Sequence, residues 1–200
     1  MTSIARVAVA APEAQALLES AGALMKGHFL LSSGLHSPEY FQCAKLLEAP
    51  AVAEQIARKV APLCADWGVQ TVLSPALGAI LFGYELSRAL GCRNVFAERP
   101  AGAFELRRGF SLTPGERVLL AENVITTGGS VEEVARLATS LGARVVGYAV
   151  IVDRSSGRFC PTEPLIAYAA ADAVTYEASS CPLCAEGRPV EKPGSRAIKP

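Results

Sequence analysis

Val118-Leu-Leu-Ala-Glu122-Asn123-Val-Ile-Thr126-Thr127-Gly128-Gly129-Ser130 is the stretch that decides the fold. Its four leading apolar residues mark a buried strand, and the polar pair Glu122 and Asn123 closes it. Two hydroxyls and two glycines follow, then a helix with Glu132 and Glu133 in its first turn. Backbone free of side chains at Gly128 and Gly129 lets amide groups approach a ligand closely. Ser130 adds a third hydroxyl, and the helix start adds unpaired amides at the positive end of its dipole. Together these describe a phosphate cradle at the carboxyl end of a parallel strand, where open α/β sheets bind ligands. A plain strand-to-helix turn with Ser130 as its cap would account for the glycines alone. The stretch matches neither of the two commonest glycine-rich fingerprints for nucleotides.

Outward from it, strands and helices alternate. Residues 71–74 read as a strand, 75–78 as a turn and 79–90 as a helix ended by Gly91. A strand over 94–97, an irregular charged stretch over 98–110 and a strand over 117–121 come next. A helix over 130–141 and a continuous apolar strand over 144–152 follow. Upstream, residues 13–23 and 51–67 have helical periodicity, 29–38 form a polar loop with apolar edges, and 40–44 read as a short strand. The residues after 180 form an irregular extension. Several fully apolar strands alternating with helices predict an α/β protein whose parallel sheet is covered on both faces.

Composition bounds the function. The 200 residues carry 19 Lys+Arg against 19 Asp+Glu, and half are hydrophobic. That excludes a disordered chain and supplies core enough for one domain. Zero net charge argues against a general nucleic-acid binder. The cations are 14 Arg and 5 Lys, and arginine forks suit phosphates and carboxylates, although codon bias is the plainer source of that excess. The first twelve residues lack a basic region followed by an apolar run, and residues 72–90 contain Pro75, Glu85 and Arg88. The expectation is a cytoplasmic protein with no membrane span. Cys43, Cys64, Cys92 and Cys160 read as core or subsurface thiols. Cys181-Pro-Leu-Cys184 is the only spaced pair, and His28 and His36 lie far upstream. A plain turn is the first reading for the pair, with a disulfide or a zinc half-site shared with another subunit left open.

The ordered run from Val118 to Ser130 resembles the phosphoribosyl-pyrophosphate (PRPP) motif of type I phosphoribosyltransferases. The resemblance implies that Glu122 and Asn123 touch the ribose hydroxyls and that Thr126, Thr127, Gly128, Gly129 and Ser130 hold the 5′-phosphate. Phe29-Leu-Leu-Ser-Ser-Gly34-Leu-His-Ser-Pro38-Glu-Tyr40-Phe41 is similar to the N-terminal loop of orotate phosphoribosyltransferases. Ser74-Pro-Ala-Leu-Gly-Ala-Ile80 with Gly83-Tyr84-Glu85 resembles their second PRPP loop. Phe96-Ala-Glu-Arg99 and Leu106-Arg107-Arg108-Gly109-Phe110 resemble their mobile catalytic loop and its base. Val152-Asp153-Arg154 resembles the strand end whose arginine reads the orotate carboxylate. Cys181-Pro-Leu-Cys184, Gly187 and Lys192-Pro-Gly-Ser-Arg196 resemble the tail of a bacterial branch.

The resemblance implies a type I phosphoribosyltransferase-like parallel sheet flanked by helices, with a small hood from the N-terminal and C-terminal segments. It implies one domain over 1–200, with the hood at about 1–45 plus 178–200 and the core at about 46–177. Orotate and PRPP are the implied substrates. Arg99, Arg107, Arg108 and Glu122 are the implied catalytic groups, and Arg99 also contacts PRPP. Thr126, Arg154, Tyr40 and Phe41 are assigned to the orotate side. Magnesium (Mg2+) is implied as cofactor, held mainly through PRPP and water, so no protein residue is assigned as a metal ligand. A homodimer is implied, with the mobile loop reaching the partner's site.

The chain departs from the pattern at four places. Asn123 stands at the motif's second acidic position, and Ala101, Gly102, Ala103 and Phe104 supply no loop lysine. The Pro-Ala-Leu77-Gly78 loop lacks the lysine that some relatives place at the second of those positions, and Ser32 stands where many relatives carry a PRPP-contacting lysine. The last two read as branch differences, while Asn123 and the lysine-free loop motivate an alternative reading as a non-catalytic or weakly active PRPP- or nucleotide-binding paralogue. A transferase for another base is the second alternative.

Overall fold

The computed structural model describes residues 7–8, 11–31, 33–171 and 174–193. Ser32 and the Gly-Ser-Arg end of the tail motif lie outside the described residues, as do most of the first ten. Seven strands form the main sheet: β1 Val7–Ala8, β4 Thr71–Pro75, β5 Arg93–Glu98, β6 Glu105–Leu106, β7 Arg117–Ile125, β8 Arg144–Asp153 and β9 Leu165–Ala170. They are ordered β1-β9-β8-β7-β4-β5-β6. Every neighbouring pair is parallel except β5 with β6. A separate antiparallel pair is made by β2 (Leu24–Leu30) and β3 (His36–Phe41). The helices are α1 Ala11–Ser20, α2 Cys43–Leu47, α3 Pro50–Cys64, α4 Ile80–Leu90, α5 Gly129–Ser140 and α6 Pro182–Ala185.

The sheet is covered on both faces, and β7 shows how. Successive side chains of a strand point to opposite faces. Leu119 and Ala121 pack in one cluster with Ile56 and Val60 of α3 and Phe82 and Leu86 of α4. Val118 and Leu120 pack in the other with Val131, Val134 and Ala138 of α5. Both sets are apolar because both faces are dry, which is why the strand reads as an unbroken apolar run. Truncating Leu119 or Leu120, each fully buried, would cost about 2–5 kcal/mol.

At the opposite end from the strands' carboxyl termini, buried Glu116 ties three strands together. Thr71 of β4 donates its hydroxyl to Glu116, and Arg93 of β5 donates from Nη1 at 2.8 Å. The Thr113 amide donates to the same carboxylate at 2.8 Å.

The structure corrects several expectations. Residues 29–38 are not one continuous loop: Phe29 and Leu30 end β2, and His36, Ser37 and Pro38 open β3 of the hairpin. Cys43 and Ala44 open α2 rather than ending a strand, since apolar residues alone do not separate a short strand from a helix start. The alanine-rich β9 has no counterpart in the sequence reading, and the tail contains the short helix α6.

Candidate active site

Parallel strands bring their carboxyl ends to one edge of the sheet, and the motif residues gather there. β7 runs four residues further than its apolar core, so Glu122 and Asn123 lie within the strand. Glu122 is buried, and its Oε1 accepts the Asn123 amide at 2.9 Å. Asn123 Oδ1 accepts the Val124 amide at 2.7 Å. Beneath the pair, the Cys43 thiol donates to the Asn123 carbonyl at 4.0 Å. Burial, with the nearby Glu122 charge, pushes that thiol up to about 12. It is a packed hydrophobe, not a nucleophile.

Two glycines are required by close approach. In the loop after β4, a methyl group on Gly78 would lie 2.7 Å from Asn123 Nδ2. This brings the second proposed PRPP loop against the first. Gly128 has φ +82°, and a methyl group there would lie 2.1 Å from Cδ2 of Phe159. Gly128 is itself the N-cap of α5, with no side-chain cap, and Ser130 sits inside the first turn rather than capping it. Thr127 and Gly129 are exposed, and Thr126 is half-buried.

The register carries the motif across to Arg154. Ile125 pairs with Asp153, so Thr126 and Arg154 are the next residues of adjoining strands. The Arg154 amide donates to the Ile125 carbonyl at 2.7 Å. The Arg154 side chain is only 2% exposed, so it is not part of a surface salt bridge. Its Nη2 donates to Ser37 Oγ at 3.4 Å, its guanidinium lies 4.8 Å from the Phe41 ring centroid, and its Nε has no hydrogen-bond partner. Burial lowers its pKa from the ordinary arginine value, with Glu39 and Tyr40 acting the other way. Tyr40 packs on Phe29 at 5.8 Å between ring centroids, and burial raises its hydroxyl pKa. Ser37 was missed by sequence reading: it is fully buried and donates to the Val174 carbonyl at 2.9 Å. Its place within the resembling loop was the only signal.

Arg99 and Arg108 are each held by a carboxylate. Arg99 pairs with Glu133 on α5 and stacks 4.1 Å over the Phe104 ring. Glu133 also accepts the Phe104 amide at 2.9 Å, so one carboxylate grips both ends of 99–104. Arg108 makes a two-pronged pair with Glu98 at 2.9 and 2.8 Å. Arg107 is exposed, and its carbonyl accepts the Phe110 amide at 2.9 Å, closing the Leu-Arg-Arg-Gly-Phe turn.

A phosphoribosyl transferase domain model matches residues 42–166. A curated relative from Chlorobium phaeobacteroides, named orotate phosphoribosyltransferase, is 48% identical over 181 residues, covering 90% of this chain and 94% of its own. A relative of the same name from Thermotoga maritima is 46% identical, covering 92% and 98%. The chain belongs to the orotate phosphoribosyltransferase family. Among solved structures, the family's Mycobacterium tuberculosis member is 25% identical with a TM-score of 0.64, covering 80% of this chain and 97% of that one. The Leishmania donovani UMP synthase superposes with a TM-score of 0.70 at 23% identity, over 80% of this chain and 36% of that one, a likeness of fold.

Magnesium, which the family implies, prefers oxygen donors. Among the described residues the one group of three or more possible ligands is made of histidines and cysteines. Glu122, Thr126 and Thr127 bring oxygen donors to the end of β7, the donor type that suits such an ion.

Proposed function

We propose that the chain transfers the phosphoribosyl group of PRPP to orotate, giving orotidine 5′-monophosphate and pyrophosphate. The carrying observation is Arg154: a buried guanidinium with a free Nε, adjoining Thr126 across the sheet. A bidentate fork of this kind suits the carboxylate of a small planar acid. Phe41 would wall one side of the base, and Ser37 would orient the fork. The 126–130 loop would hold the 5′-phosphate, and Glu122 and Asn123 would meet the ribose hydroxyls. The C1–pyrophosphate bond breaks as the base nitrogen attacks through an oxocarbenium-like state, and the base proton leaves to solvent. The protein contributes positioning and fixed charge, with Arg99, Arg107 and Arg108 neutralising pyrophosphate once the 99–110 segment closes. Magnesium, when bound with PRPP, supplies charge neutralisation at the pyrophosphate oxygens. The same reading implies a cytoplasmic homodimer with this segment reaching the partner's site, and a hood at about 1–45 plus 178–200.

One observation favours a second reading, a PRPP-binding chain with little turnover. Asn123 offers an amide where the family motif has an acid, so it cannot share the positive charge of the transition state. Loss of orotate absorbance with purified protein, PRPP and magnesium tests the first reading. Turnover faster with orotate than with uracil or adenine supports it. Tight PRPP binding without turnover overturns it and supports the second, and Asn123→Asp then restores turnover.

A further inference from the structure

His28 and His36 on the hairpin meet Cys181 and Cys184 on the tail, bridging 153 residues of sequence between His28 and Cys181. Their four ligand atoms all lie within 4.8 Å of one another. His28 Nε2 is 2.8 Å from His36 Nδ1 and 3.5 Å from Cys181 Sγ. Cys184 Sγ is 3.7 Å from His28 Nε2 and 3.3 Å from His36 Nδ1. We propose that these side chains form a structural zinc site that fastens the C-terminal tail to the hairpin.

The distances suit the metal. Zinc bonds of about 2.0–2.1 Å to nitrogen and about 2.3 Å to sulfur put tetrahedral neighbours roughly 3.3–3.8 Å apart. Of the six pairs that four ligand atoms make, three of the four given above fall in that range, the histidine pair is half an ångström or so short of it, and the other two lie within 4.8 Å. Nitrogen and sulfur donors with no carboxylate select zinc over magnesium or calcium. Two thiolates, formed by release of their protons, cancel the charge of the ion, so the buried site is neutral. His28, His36 and Cys181 are buried, and Cys184 faces solvent.

The surroundings are arranged for the same purpose. His28 Nδ1 lies 2.9 Å from the Arg188 carbonyl, which can only accept. That bond puts the ring proton on Nδ1 and leaves the Nε2 lone pair facing the cluster, the usual support for a metal-bound histidine. Leu30 lies opposite His36 in the hairpin, which makes His28 the diagonal neighbour of His36. The tail pairs with one edge of the hairpin through Tyr176 and His36, and with the other through Glu191 and Phe29. Between those two bridges it crosses the hairpin, carrying the two cysteines over the two histidines. The site adjoins Ser37, the residue that bonds Arg154. The proposal does not depend on the reaction, since metal content is read without substrate.

The test is elemental analysis of the untagged full-length chain, purified in reducing buffer without added metal. About one zinc per chain is expected in the wild type, and near none in Cys184→Ser after dialysis against a chelator. Cobalt put in place of zinc in the wild type should give a sulfur-to-metal charge-transfer band and the visible bands of a tetrahedral ion. This arm holds even where a variant fails to fold. Wild-type protein without stoichiometric metal, a cobalt form without the sulfur band, Cys184→Ser retaining full zinc, or a Cys181–Cys184 disulfide in its place would each overturn the site. Removing the metal should also speed protease cleavage of the tail at least tenfold, and an unchanged rate would overturn the fastening role.

Discussion

Arg154 stacks its guanidinium 4.8 Å from the ring centroid of Phe41, and its Nη2 donates to Ser37 Oγ at 3.4 Å. Charge-assisted hydrogen bonds are worth about 1.5–3 kcal/mol each, and a fork makes two. Arg154→Ala is therefore expected to lower kcat/KM for orotate by at least about a hundredfold, with KM for PRPP changed only a few-fold. Steady-state kinetics with each substrate varied in turn checks this. An equal loss for both substrates would count against a carboxylate-reading role.

Desolvating an arginine costs stability that ligand binding recovers. Arg154→Met keeps the bulk of the side chain and removes the charge. Its melting temperature without substrate should equal or exceed that of the wild type, because apolar replacement of a buried ion is often neutral or stabilising. Differential scanning calorimetry gives the answer, and a large drop would mean that the cation holds the fold.

Gly128→Ala places a methyl group against Phe159 and asks a non-glycine residue to hold φ +82°. Overpacking and backbone strain together should destabilise by about 2–4 kcal/mol in urea unfolding. Phe159→Ala in the same chain removes the clash but not the strain. The double variant should therefore be more stable than the sum of the single changes predicts, by at least about 1 kcal/mol.

Glu133→Ala frees both Arg99 and the Phe104 amide. The ion pair is nearly one-third exposed on each side, so its loss should cost less than about 1 kcal/mol. Hydrogen exchange at the Phe104 amide should nevertheless quicken at least tenfold. Unchanged exchange would show that the segment is held by something other than this carboxylate.

Glu116 sets a pH dependence. Burial alone raises its pKa, but the Thr71 hydroxyl, the Thr113 amide and hydroxyl, and the Arg93 charge outweigh burial and leave it lowered. A lowered carboxylate pKa stabilises the fold above the unfolded value of about 4.3, and this stabilisation is lost as pH falls through the folded value. Glu116→Gln should be less stable than the wild type by about 1–3 kcal/mol at pH 7. That gap should narrow between about pH 5 and pH 3. A gap constant across that range would remove Glu116 from the acid response.

The core strands were legible because burial on both faces leaves unbroken apolar runs, as at Val118-Leu-Leu-Ala. The glycine-rich loop after β7 was legible because backbone geometry demands glycine at Gly128. β9 was not, since Leu165-Ile-Ala-Tyr-Ala-Ala is alanine-rich and its strand form comes from pairing with β8. The hairpin was hidden by Ser33, Gly34 and Pro38, which read as loop residues, while Pro38 is tolerated in a two-stranded ladder. The histidine–cysteine cluster was hidden for a topological reason. No local spacing reports that residues 28 and 36 come to face residues 181 and 184.

The bridges from Tyr176 to His36 and from Glu191 to Phe29 occupy opposite flanks of the small hairpin. A two-stranded ribbon left bare offers its unpaired amides and carbonyls as a template for another chain. Here the same polypeptide fills both flanks at those positions. The tail thereby protects the hairpin against edge-to-edge aggregation, and a chain shortened before Tyr176 would lose solubility before it lost its main sheet.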